Sequence, residues 1–146
     1  MELTWHDRAF GELSRDELYA ILAVREWVFV VEQACPYQDA DGLDPQCRHL
    51  WATLRGAIVA YLRIVPAGVK YAEVAIGRVL VAPEMRGTGL GKELMRRALT
   101  AAGAVPVRLS AQAHLDRFYA ELGFRAVGDV YDEDGIPHVE MLRDSW

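Results

Sequence analysis

The chain changes period at one junction. AIGRVLVAP (75–83) is a nearly unbroken apolar run, MRGTGLGKEL (85–94) sets three glycines at alternate positions, and helical spacing begins at Leu90. From there Leu90, Leu94, Met95, Ala98, Leu99 and Ala102 form one stripe, with Lys92, Glu93, Arg96, Arg97 and Thr100 on the other face. Strand, glycine loop and amphipathic helix follow one another in that order. Inside a helix each glycine costs roughly 0.5–1 kcal/mol relative to alanine, so three of them where a helix begins need a use. A backbone without Cβ atoms comes within hydrogen-bond range of a ligand. The first N–H groups of a helix have no intrahelical acceptor and sit at the positive end of its dipole. Together these features make an anion site, with a phosphate or pyrophosphate as the natural guest.

Three phosphate motifs compete for the junction. Gly87, Gly89 and Gly91 are spaced two and two, which is not GxGxxG. GTGLGK is followed by Glu93 and lacks the Ser or Thr that a Walker A loop supplies to magnesium. Arg86, Gly89 and Gly91 satisfy the third pattern, Arg/Gln-x-x-Gly-x-Gly/Ala.

The rest of the chain sets bounds. With 146 residues, 52% of them hydrophobic, it fits one domain spanning 1–146. A net charge of −5 and no long basic run argue against nucleic acid, although Arg86, Lys92, Arg96 and Arg97 make a local basic spot. MELTWHDRAF lacks the pattern of a signal peptide, and the apolar cluster Trp27–Val31 is too short to span a bilayer. Cys35 and Cys47, with His49 nearby, do not complete a metal site; two reduced thiols in cytosol are expected, and a disulfide stays open.

Ser14-Arg15-Asp16-Glu17 reads as a capping box, opening a helix whose end blurs in the β-branched and aromatic run Val28–Val31. Residues 35–48 read as a loop. Strands are expected at His49–Leu54, Ala57–Val65, Ala72–Val81 and Val107–Ala111, with a hairpin turn at Arg55-Gly56. Leu115, Phe118, Tyr119 and Leu122 mark a short helix stopped by Gly123. Phe124–Val130 and His138–Leu142 read as a final strand pair around Asp132–Gly135.

RGTGLG, with the strand before it and the helix after it, resembles the acetyl-CoA pyrophosphate loop of the GNAT superfamily of N-acetyltransferases. FYAELGF is similar to that superfamily's helix with its tyrosine and following GF. VREWVFVVEQACPYQDADGLD, HLWA, IGRVLVAP, LSAQAHLDRFYAELGF and YDEDGIPHVEM, in order through most of the chain, resemble the ElaA-like subgroup. The resemblance implies the mixed α/β GNAT fold: a mixed central sheet flanked by helices, in which two parallel strands splay apart. It also implies a β-bulge near Leu80-Val81, where pantetheine pairs like an added strand. Acetyl-CoA is the implied cosubstrate, with no metal. Its phosphates would lie on Arg86 and on Gly87, Thr88, Gly89, Leu90, Gly91 and Lys92, with Gln112, His114 and Phe118 lining the groove. A primary amine is the implied acceptor, and a homodimer is common among similar folds.

Tyr119 is the implied general acid, because a phenol with a pKa near ~10 stays protonated at neutral pH. Packing beside Phe118 and Leu122 would place a tyrosine there equally well. A backbone N–H near Val81 is the implied oxyanion donor. For the base, Glu73, Glu32 and His49 compete with a water relay; each also reads as an ordinary strand-start, helix-end or structural residue. Asp39, Asp41 and Asp44 suit either attraction of a cationic amine or a solvated turn. Arg78, inside an apolar strand, calls for a partner carboxylate or a strand edge. Two other functions stay open: a non-catalytic acyl-CoA sensor, and transfer of longer acyl groups, since VREWVFVVEQ also resembles autoinducer synthases.

Overall fold

The computed structural model describes residues 2–145. In chain order its elements are β1 (Thr4–Ala9), α1 (Arg15–Arg25), β2 (Arg48–Leu54), β3 (Ala57–Val65), β4 (Val74–Val81), α2 (Leu90–Ala102), β5 (Val107–Gln112), α3 (Asp116–Ala120), β6 (Arg125–Ala126), β7 (Tyr131–Glu133) and β8 (Ile136–Arg143). The strands form one mixed sheet in the order β1-β2-β3-β4-β5-β8-β6, with β7 paired to β8. No described helix is long and apolar enough to cross a membrane.

Alternation along the central strands explains the layers. Leu50, Ala52, Ala60 and Leu62 point to one face, where they meet Leu94, Met95 and Ala98 of α2. Trp51 and Tyr61 point to the other face and pack with Ile21 and Val28, on α1 and the turns after it. Both faces of β2 and β3 are therefore covered.

The Ser14 box forms as expected: the Glu17 N–H donates to Ser14 Oγ at 3.0 Å and the Ser14 N–H donates to the Glu17 carboxylate at 2.8 Å. The blurred end of this helix has a definite shape. Glu26–Glu32 widens into a π-helix, closed by the Gln33 N–H donating to the Val28 carbonyl at 3.2 Å. The wider turn accommodates the bulky run Trp27–Val31, which fits a regular helix poorly.

Two sequence expectations need correction. β1 has no counterpart among the expected strands; its mixed-polarity residues Trp5, His6 and Asp7 run antiparallel to β2 at the sheet edge. Phe124–Val130 is mostly irregular, and the terminal hairpin is instead β7–β8 around Asp134-Gly135. Both residues of that turn have positive φ, +52° and +81°, the geometry of a tight hairpin turn. The bulge expected near Leu80-Val81 falls directly before Leu80 in β4. Tyr61 faces Leu80 and Arg63 faces Gly77, so two residues of β3 step against three of β4, and Arg78 takes φ +53°.

Candidate active site

β4 and β5 run parallel but pair only at Val74–Val107 and Ala75–Arg108. Beyond that they diverge, and a cleft of about 670 Å³ opens between them. Val79, Leu80 and Val81 form one wall; Gln112, His114, Phe118 and Tyr119 form the other. Val28, Phe29, Glu32 and Gln33 of the π-helical turn and its end close it from above. The mouth is Arg86, Gly87, Gly89, Gly91 and Lys92.

The glycine loop owes its shape to backbone geometry. Gly89 is the N-cap of α2 at φ +87°, and Gly87 stands at φ +80°. L-residues rarely adopt either value, and the turn they form exposes the first N–H groups of α2. A Cβ on Gly91 would meet Phe118 and Val81 of the cleft lining at 3.5 Å. Thr88 and Leu90, expected on the ligand, are absent from the cleft lining. The Thr88 hydroxyl donates to the Met85 carbonyl at 2.6 Å, and Leu90, the first residue of α2, is buried in the core. Lys92 pairs with Glu121 at the rim. Arg96 and Arg97 lie outside the cleft, Arg97 resting over the Trp5 ring at 4.1 Å.

Tyr119 is 6% exposed and packs edge-on to Phe118 and Phe124, at ring-centroid separations of 5.0 and 6.0 Å. Its hydroxyl has no hydrogen-bond partner among the described residues. Burial pushes its pKa up to about 12, so the phenol keeps its proton. Packing residue and free donor are thus the same side chain.

The three candidate bases separate cleanly. Glu32 lines the cleft, where a hydrogen bond from Arg86 at 2.6 Å holds its carboxyl below the usual range. Glu73 lies outside the cleft; Arg108 holds it through two hydrogen bonds of 3.0 and 3.2 Å and lowers its pKa. His49 is fully buried in the sheet. Its Nε2 reaches the Asp44 carbonyl at 3.1 Å, which can only accept, so Nε2 carries the proton and Nδ1 accepts from the Tyr61 hydroxyl at 2.7 Å. Burial lowers the His49 pKa and keeps the ring neutral.

Asp39, Asp41 and Asp44 form neither a solvated turn nor a free acidic patch. Arg25, buried completely, bridges Asp39 at 2.9 Å and Asp44 at 2.7 Å. Arg63 binds Asp44 at 2.8 Å and also Asp41, while Arg78 binds Asp39 at 2.9 Å. Three guanidinium groups and three carboxylates thus tie the 35–48 loop to α1, β3 and β4. Against the upward push of burial, the arginine hydrogen bonds hold Asp41 well below the usual carboxylate range and lower the pKa of Asp44 as well. Cys35 and Cys47 are both buried free thiols. Burial raises the Cys47 pKa to about 11, and its thiol donates to the Leu43 carbonyl at 3.2 Å.

Residues 13–144 match the Acetyltransferase (GNAT) domain. Protein ElaA of Escherichia coli is 45% identical over 148 residues, 97% of this chain and 97% of its own. Its crystal structure superposes with a TM-score of 0.93, covering 98% of this chain and 100% of that one. An acyl-CoA N-acyltransferase from Pseudomonas aeruginosa also gives 0.93, at 48% identity over 97% of this chain and 99% of that one. A CoA-dependent acyl-homoserine lactone synthase shares the fold alone, with a TM-score of 0.81 at 17% identity over 99% of this chain and 84% of that one. The domain match, together with relatives near half identical along their whole length, makes this chain a member of the GNAT acetyltransferase family.

Proposed function

We propose that this protein transfers an acetyl group from acetyl-CoA to a primary amine by direct attack on the thioester. One observation carries the reading. The exposed N–H groups at the start of α2, the unpaired edge of β4 and the free Tyr119 hydroxyl converge in one cleft. The pyrophosphate binds at Gly87–Lys92, and the pantetheine amides pair along the β4 edge toward the bulge.

The amine lone pair attacks the thioester carbon, forming the C–N bond and moving the carbonyl pair onto oxygen. Backbone N–H groups of β4 between Val79 and Val81 stabilise that oxyanion. Collapse breaks the C–S bond, and the thiolate takes the Tyr119 proton. The surplus proton on nitrogen leaves through water, and the phenolate is reprotonated from solvent. Neither cysteine serves as an acyl carrier, since Cys47 is hydrogen-bonded inside the arginine–aspartate cluster and Cys35 donates to the Asp134 carbonyl.

The test is calorimetry with coenzyme A, followed by thiol release from acetyl-CoA across a panel of amines. Coenzyme binding with amine-dependent thiol release is expected. Binding without release under every amine would leave a sensor, not a transferase.

A further inference from the structure

Behind the cleft lies a second cavity of about 140 Å³, sharing Tyr119, Gln112 and Val79 with it and running along β4 to Lys70 and Tyr71. Glu133 and Asp134 of the β7–β8 hairpin stand across from that far end. Tyr119 is thus common to both spaces, whereas Arg63 and Lys70 belong to the inner one alone.

Two cationic groups of this cavity retain unused donor capacity. Arg63 is 1% exposed; its Nη atoms are taken by Asp41 and Asp44, but its Nε–H has no acceptor. A buried donor left unpaired is costly, and a ligand acceptor would relieve that cost. Lys70 has no carboxylate partner at ion-pair distance among the described residues and rests over the Tyr71 ring at 5.6 Å. Desolvation lowers its pKa, and an anion beside it would favour the charged form. Of the cavity's acids, Glu133 lies 3.3 Å from His138 Nε2 and also lends its charge to Lys70, and Asp134 accepts the Cys35 thiol through its backbone carbonyl.

We infer that the acceptor is a small amine whose other end is a carboxylate: the amine lies at Tyr119 and the carboxylate lies between Arg63 and Lys70. Resting on the acyl-transfer reading above, this inference names the acceptor class. Arg63 faces Gly77, two residues before Val79 of the cleft wall, and strand residues rise ~3.3 Å each. Amine and carboxylate are therefore separated by a short chain, as in an ω-amino acid, instead of sharing one carbon as in an α-amino acid. A diamine would bring its second ammonium against Lys70.

The experiment titrates 4-aminobutyrate and 6-aminohexanoate, their carboxamides, glycine and 1,5-diaminopentane into the protein, with and without coenzyme A. Thiol release from acetyl-CoA is followed with the same amines. The acids should bind, and be acylated, at least about tenfold better than their amides, the range of a charge-assisted hydrogen bond. Lys70→Met should bring the acid-to-amide ratio close to one, and Lys70→Arg should restore it. Equal use of acid and amide, preference for the diamine, or a Lys70→Met loss shared by both forms overturns the inference. Titration without coenzyme reads the cavity's preference even where coenzyme A fails to bind, an outcome that strikes the acyl-transfer reading separately.

Discussion

Arg86 presents both guanidinium Nη atoms to the carboxylate of Glu32, at 2.6 and 2.9 Å. Its Nε donates to the Val81 carbonyl at 3.0 Å. One arginine therefore ties the π-helical roof of the cleft to the loop proposed to hold the pyrophosphate. An incoming phosphate and Glu32 compete for the same donors.

Replacing Glu32 by Gln removes a negative charge beside that phosphate and releases Arg86. The side chains are 32% and 45% exposed, so the pair is worth at most ~1 kcal/mol, or about fivefold in affinity. Coenzyme A should bind Glu32→Gln up to about fivefold more tightly at low ionic strength, the gain shrinking as salt is added. Weaker binding in the calorimeter would contradict the competition. A fall in kcat of a hundredfold or more would instead make Glu32 the base.

Tyr119→Phe deletes the one hydroxyl in the cleft proposed to protonate the leaving thiolate. Because that hydroxyl has no protein partner among the described residues and the ring keeps its edge contacts, the fold should be nearly unaffected. A thiol pKa near ~8.5 makes the departure partly self-sufficient, so the lower end of general-acid effects applies, about 10²-fold in kcat. Coenzyme affinity should stay within about twofold. Full turnover by the variant would reduce Tyr119 to packing.

How much of this was readable from sequence depends on how local each cause is. The glycine loop is written in consecutive residues, and its strand–turn–helix context appears within twenty positions. The Ser14 box is local in the same way. By contrast, Asp39 meets Arg78 across 39 positions, and Asp44 meets Arg25 and Arg63 across 19 each. Three aspartates between two prolines look like a solvated turn until the fold supplies their arginines. His49 and Glu73 carry the right chemistry, but the sheet buries one and Arg108 holds the other. The π-helical turn is a half-legible case: Val28–Val31 signalled trouble for a regular helix without revealing that the run widens into a π-helix or that Glu32 and Gln33 at its end line the cleft.

Gly89 sits at φ +87° with open space where a Cβ would stand. Any side chain there costs backbone strain, on the order of 1–3 kcal/mol, and Glu adds a carboxylate where phosphates are proposed to lie. Gly89→Glu should therefore weaken coenzyme binding at least tenfold. Gly56, at φ +81° in the β2–β3 turn and equally uncrowded, supplies the control. Gly56→Ala should lower stability comparably and leave coenzyme affinity alone. Equal affinities in the two variants would remove the cradle assignment.

Asp44 is the carboxylate shared by Arg25 and Arg63, both almost fully buried. Asp44→Ala leaves two guanidinium groups short of charge compensation in a site closed to water. Breaking a buried pair in this manner costs ~3–5 kcal/mol. Urea denaturation should show that loss as a fall in midpoint with little change in slope. A loss below ~1 kcal/mol would mean that water reaches the cluster.

His49 and the aspartates also fix how stability responds to acid. His49 is held neutral by burial, below its ordinary value of 6.5, so the unfolded chain binds a proton that the native state refuses. Stability therefore rises with pH in that region and starts to fall as pH drops below about 6.5. Asp41 and Asp44 act lower. Their folded pKa values are depressed, so their contribution is complete above an unfolded value near ~3.9 and disappears as pH falls through the folded one. Thermal unfolding between pH 8 and pH 3 should thus show two descents, one beginning near 6.5 and a steeper one below about 4. In His49→Gln the first should flatten and the second persist. A wild-type melting temperature level between pH 7 and pH 5 would show that His49 takes up its proton without unfolding the sheet around it.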